Sequence, residues 1–266
     1  MMGSVFTKTL HEKRFFVLGW TIAFAAIAAL LASFYPAMHQ DGAIDSLLAN
    51  MPPVFKGLIG DLGDLSRFDT YIASQLFDIR VPLIAGIMAI MLGLSLSISD
   101  EEKGELRTIL SLPVSRTKLF VQKWLAMVVI MLVGVLGMVA GIYAVLPFID
   151  IPADISLEHM ALLAGMTLLT MVTYGTIPFA VGFASGRRAV ATGLAILTII
   201  GSFILTTFGQ AVDWLSDFER LSLLHYFPAV DIVKNGIDTN DVAVFATITV
   251  VLLIVGVVRF RGRDVN

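Results

Sequence analysis

Three consecutive carboxylates, Asp100, Glu101 and Glu102, open the most highly charged stretch of the chain, SISDEEKGELRTILSLPVSRTKLFVQKWLA at 97–126. Such a run admits three kinds of chemistry: a solvated acidic loop, a hard divalent-cation site, or a handle for a partner protein. No Asn or Gly-turn ligand pattern accompanies it, which disfavours the cation. Gly104 interrupts the run, and 105–112 reads as a short amphipathic helix carrying Glu105, Leu106, Leu110 and Leu112. Pro113 ends that helix and Ser115 is placed to cap the next. Arg116 and Lys118 then stand where anionic lipid headgroups would meet them. A short helix lying across a membrane surface between two spans is a lever that a partner can push.

The second candidate chemistry is hydroxyl. Thr167, Thr170, Thr173, Tyr174 and Thr176 fall in one long apolar run, and Thr198, Ser202, Thr206 and Thr207 in the next. Thr170, Thr173, Tyr174, Thr198, Ser202 and Thr206 are the candidates for a translocation path. The alternative is helix–helix contact, since a Thr or Ser hydroxyl bonds the preceding turn's carbonyl at little cost.

Much chemistry is excluded or disfavoured. There are no cysteines, hence no disulfides, thiolate metal sites or cysteine nucleophiles. His11, His39, His159 and His225 show no paired metal-ligand spacing. No buried His/Asp pair, metal-ligand set or activated nucleophile is expected, so an intramembrane enzyme is disfavoured. The phosphate loop G-x-x-x-x-G-K-[ST] is absent, and the glycines of GLIGDLGD at 57–64 lack its lysine. No apolar run carries an ionisable residue near its centre, so an ion-coupled carrier has no evident proton or sodium sensor.

The elements that must position these residues are transmembrane helices. Hydrophobic residues make up 57% of the 266 and charged residues only 15%, more apolar than a water-facing domain sustains. The net charge of −3 argues against a nucleic-acid-binding face. Six segments are apolar over the roughly 20 residues that a membrane crossing requires: about 15–37, 81–99, 119–148, 160–185, 189–208 and 242–260. They are continuously apolar rather than alternating, which favours helices over a barrel. The first is longer than a signal peptide's core and is expected to be retained.

Six spans place both termini on one side. That side holds Lys8, Lys13, Arg14, Lys103, Arg107, Arg116, Lys118, Lys123, Arg187, Arg188, Arg259, Arg261 and Arg263, against Lys56, Arg67, Arg80, Arg220 and Lys234 on the other. The positive-inside rule makes the first side cytoplasmic. Two extracytoplasmic segments, 38–80 and 209–241, read as amphipathic helices at the outer interface, or else as small caps packed over the bundle. Residues 5–14 read as a short amphipathic helix on the inner surface. Ala85, Ala89, Gly93 and Ser97 line one face of the second span, and Gly134, Gly137 and Gly141 the third. Both stripes suit close helix contact, within the chain or across a dimer. Pro178 is expected to bend the fourth span, with Thr173 and Thr176 re-satisfying the freed backbone.

Taken together, the loop and the spans make the chain resemble the permease subunits of the ABC-2 transporter family. The resemblance rests on the acidic residues ending at Glu102, then Gly104, Glu105, Leu106, Leu110, Leu112, Pro113, Val114, Ser115 and Arg116, with Lys123 following. Family members typically have Thr after the glycine, where this chain has Glu105. HYFPAVDIVKNG at 225–236 and RFRGRDV at 259–265 add weaker matches. The resemblance covers the whole chain and implies one permease domain, 1–266. It implies a multi-pass protein of a bacterial or archaeal plasma membrane. It also implies two permease subunits, a homodimer in preference to a heterodimer, with two cytoplasmic ABC ATPase subunits. ATP and Mg would bind those partners, and no cofactor this chain. The 100–116 loop, Glu101 included, would couple the two kinds of subunit in a drug, peptide, lipid or ion exporter. The hydroxyl-rich spans lean towards amphipathic or lipid-like cargo. The competing readings are an ATP-independent carrier or channel, and a membrane interaction protein that transports nothing.

Overall fold

A computed structural model of the chain describes residues 4–39, 67–78, 80–111, 114–149, 156–209 and 212–264, and among these it is helical with no strand. In chain order the α-helices are α1 (Val5–Glu12), α2 (Arg14–Ser33), α3 (Tyr35–His39), α4 (Phe68–Ile72), α5 (Arg80–Ser97), α6 (Ser99–Glu102) and α7 (Glu105–Leu110). There follow α8 (Arg116–Val145), α9 (Leu157–Ser185), α10 (Arg188–Gly209), α11 (Asp213–Ser216), α12 (Ala229–Asn235) and α13 (Thr239–Gly262). A π-helical turn, Ala73–Phe77, continues α4.

Helix starts follow local chemistry. The Ser115 hydroxyl accepts from the Lys118 N–H at 3.2 Å and opens α8, Ser156 accepts from His159 and opens α9, and Asp238 accepts from Asn240 and opens α13. Ser4 caps α1 in the same way, and α1 packs its Val5 and Leu10 against the core beside α8.

Among the described residues five helices are long and apolar enough to cross a membrane: Arg14–Ala37, Arg116–Phe148, Leu157–Ser185, Arg188–Gly209 and Thr239–Gly262. The expected second span is shorter. It reaches the required length only if Phe68–Phe77 and Val81–Ser97, which meet at a 46° bend, count as one broken span. The expected six spans are therefore five continuous helices and one that depends on this bent pair.

Burial grades the bundle. α9 is its centre, with every residue from Thr170 to Ala180 buried. α2, α10 and α13 lie at the rim, exposing Ile22, Leu30, Leu197, Ile200, Ile204, Ile254 and Val258. Both small-residue stripes are spent inside this one chain. Ala85, Ala89, Gly93 and Ser97 are buried, and α5 lies so close on α9 that a Cβ at Gly93 would strike the Gly175 carbonyl oxygen. Gly134, Gly137 and Gly141 of α8 receive Phe24, Thr21 and Ala25 of α2. Close backbone approach of this kind is how helices associate where lipid is as apolar as they are.

The ends of the bundle differ. At one, called here the basic end, Lys13, Lys123, Arg188 and Arg263 come together, so the start of α2 and the finish of α13 share a side. At the other, Asp69 on α4 is buried yet fully engaged. Arg67 donates to it through Nε at 3.2 Å and Nη2 at 2.9 Å, the Thr70 N–H at 2.9 Å, and His159 Nδ1 lies 2.8 Å away. Asp69 is buried and His159 half-buried, so a His/Asp contact occurs that the sequence did not suggest. The carboxylate's oxygens are already bonded by Arg67 and Thr70, so the cluster pins α4 to the first turn of α9.

Of the two readings of the segment 38–80, its described part follows the second. Phe68, Tyr71, Ile72, Leu76 and Phe77 are buried, which makes 68–77 a packed cap rather than a helix resting on lipid; residues 40–66 of that segment lie outside the described residues. In 209–241 the two readings combine. Leu215, Leu224 and Phe227 are buried, while Trp214, Phe218 and Leu221 are exposed.

Candidate functional site

The loop between α5 and α8 folds as two short helices hinged at Gly104. Its φ of 72° is left-handed, where a side chain would be strained, and nothing crowds it. Leu106 is buried and seats α7 on the bundle, while Glu105, Arg107 and Thr108 are exposed. Leu110 ends α7; Leu112 and Pro113 lie outside the described residues.

The acidic run is paired within the chain. Each carboxylate meets a cation from a different element. Asp100 takes Lys123 Nζ of α8 at 2.7 Å, Glu101 takes Arg263 Nη2 beyond α13 at 2.5 Å, and Glu102 takes Arg188 Nε of α10 at 2.8 Å. Lys123 Nζ also donates to the Leu96 carbonyl at 2.6 Å and lies over the Phe183 ring. Arg116, expected at lipid headgroups, instead donates to the Phe260 carbonyl at 2.9 Å and to that of Arg263, and covers the Phe260 ring. Lys13 donates to the Ser95 hydroxyl nearby. Burial first, and then the charge of Lys103, lowers the Lys13 ammonium below its ordinary pKa. Among the described residues no cluster of metal-ligating side chains occurs.

The six hydroxyl residues do not share one surface. Thr170 bonds the Met166 carbonyl at 2.9 Å inside α9. Thr173 bonds the Leu169 carbonyl and meets the Thr249 hydroxyl of α13 at 2.9 Å. Tyr174 is buried with its hydroxyl beside Ser202. Ser202 accepts from the Leu223 N–H at 3.1 Å, and Thr206 meets Ser222 at 2.6 Å, so both fasten the 219–226 segment to α10. Thr198, half-exposed, bonds back to the Leu194 carbonyl. Thr176 bonds the Val172 carbonyl and receives the Trp124 indole N–H at 2.9 Å. Neither it nor Thr173 reaches the Tyr174 carbonyl that Pro178 leaves free, contrary to expectation.

A contact between α9 and α13 gives a measurable consequence. A double-mutant cycle on Thr173→Val and Thr249→Val should yield a coupling of about 0.6 kcal/mol, the usual size for intramembrane hydrogen bonds. Thermal unfolding in detergent reads it, and zero coupling would remove the bond.

Arg188, Arg263 and the Asp69–His159 pair were not foreseen as site residues. Opposite charges on one side of the membrane are visible in the sequence, but their partners are not.

A family model described as multidrug efflux system permease Rv1217c, C-terminal domain, matches residues 3–261. No curated protein matches the chain.

Proposed function

The chain belongs to the family of the multidrug efflux system permease Rv1217c, C-terminal domain, and on that premise we propose that it is the permease subunit of an ATP-driven exporter of the ABC-2 type. The family makes it a multi-pass membrane permease. The finer reading is carried by α7: a short helix between two membrane-spanning segments, anchored by Leu106 and presenting Glu105, Arg107 and Thr108 outward at the basic end. In this reading the basic end is cytoplasmic, as its lysines and arginines favour. The chain has no phosphate loop of its own, so ATP and Mg belong to two ATPase subunits docked on α7 and on the 110–113 segment that follows it. A second permease copy completes the path. Cargo is drug-like and amphipathic, in keeping with the family description and the uncharged interior.

The pairing within 100–102 refines the roles. Glu101 and Glu102 bind within the chain, which leaves the exposed face of α7 for the partner. Reversing charge there, with Glu105→Lys and Arg107→Glu together, is expected to abolish ATPase co-purification and ATP-dependent dye efflux while the permease still inserts and folds. Efflux from proteoliposomes containing this chain alone, driven by a gradient, would instead establish a self-sufficient carrier.

A further inference from the structure

Three ion pairs leave the four-residue helix α6 in three directions, and they differ in exposure. Asp100–Lys123 is enclosed on its cationic side, the lysine side chain being 5% exposed. Glu102–Arg188 is open, at 46% and 50%. Glu101–Arg263 lies between, at 19% and 15%. Its arginine is incompletely satisfied: Nη2 bonds Glu101, while Nε is buried with no hydrogen-bond partner among the described residues. Gly186, the C-cap of α9 at φ +64°, forms the floor beneath the pair. A Cβ there would strike the Arg263 guanidinium and lie 3.0 Å from the Glu101 carboxylate. From the opposite side Arg116 grips the Phe260 and Arg263 carbonyls. One arginine thus joins the loop, the end of α9 and the end of α13.

We propose that Glu101–Arg263 is a releasable latch. Closed, it fixes the ends of α9 and α13 to the α6–α7 loop; it parts when the bundle opens at the basic end during transport. The proposal rests on the permease reading above and names the regulation of that loop. Asp100–Lys123 stays made, because parting it would strand an ammonium in an enclosed place. Glu102–Arg188 yields readily, because water already solvates both partners. Glu101–Arg263 is the intermediate link, joining the loop directly to the residue that follows α13. Displacement of α7 reaches α6 through Gly104, pivots α6 about the Asp100–Lys123 pair, and turns Glu101 away from Arg263, whose carbonyl Arg116 keeps at the start of α8.

The chain contains no cysteine, so Glu101→Cys with Arg263→Cys supplies its two thiols. The full-length double variant, reconstituted with its ATPase subunit, is treated with a short bis-methanethiosulfonate linker that a reductant cleaves. The expected result is a link within one chain, a fall in efflux of a lipophilic dye of about tenfold or more, and recovery on reduction. Linked protein that transports at the unlinked rate overturns the latch, as does failure of the thiols to link. If the cysteine variant does not transport at all, charge reversal decides. Glu101→Arg and Arg263→Glu should each impair efflux and the two combined should restore it; a combination no better than either single overturns the proposal. Nucleotide dependence of the untreated variant separately tests the permease reading: dye efflux without ATP sinks that reading, while the linker result still decides the latch.

Discussion

Gly93→Val is expected to part α5 from α9 and to cost the protein most of its folded yield. A Cβ at Gly93 would occupy the Gly175 carbonyl oxygen and lie 3.1 Å from Pro178 Cγ. Both obstacles are fixed, one being backbone and the other a ring inside a helix. Overpacking a well-packed core costs about 1–3 kcal/mol where side chains can yield, and more where they cannot. The damage spreads along the helix pair, because Ser97, one turn on, bonds the Gly93 carbonyl at 2.8 Å and reaches towards that of Pro178. Gly201→Ala on rim helix α10 is the matched control. Nothing lies within 4 Å of its Cβ position, so the change should be neutral or stabilise by about 0.5–1 kcal/mol. Melting of both variants in detergent distinguishes them. Equal melting temperatures would show that the α5–α9 approach is not tight.

The second large effect is expected at Asp100, and it is asymmetric. Asp100→Asn leaves the buried Lys123 ammonium with no negative charge beside it, only neutral oxygens and the Phe183 ring. Breaking a buried pair from one side costs about 3–5 kcal/mol. Lys123→Met removes the buried charge itself, keeps the apolar stem, and leaves Asp100, which is 19% exposed, nearer water. It should therefore cost clearly less. The double variant Asp100→Leu/Lys123→Met should melt close to the wild-type temperature, since an apolar replacement of similar volume often matches a buried pair. A melting temperature for Asp100→Asn equal to wild type would mean that this pair does not hold α6 to α8.

The two experiments touch different levels of the same architecture. Gly93 belongs to helix packing, which the sequence signalled through small residues every fourth position. Asp100 belongs to the end of the bundle, where three neighbouring carboxylates divide among three partners. The stripes announced close contact but not its partner: Gly93 meets Gly175, and Gly141 meets Ala25, both within one chain. The hydroxyls announced cheap polar groups, and they serve as back-bonds, as an α9–α13 contact and as a fastening for the 219–226 segment.

Local chemistry decided a good deal from the sequence alone. Apolar run length set α2, α8, α9, α10 and α13 to within a few residues, because an unsatisfied backbone in hydrocarbon is too costly for any structure but a helix. Ser115 set the start of α8 and Gly104 the hinge before α7, because caps and left-handed turns depend on one residue and its neighbours. Only the tertiary structure decided which cation each of Asp100, Glu101 and Glu102 takes, or that His159 finds Asp69 across 90 positions. It also turned 68–77 inward. Those outcomes depend on how helices far apart in sequence are rotated and stacked. Charge, unlike apolar periodicity, carries no spacing that names its partner.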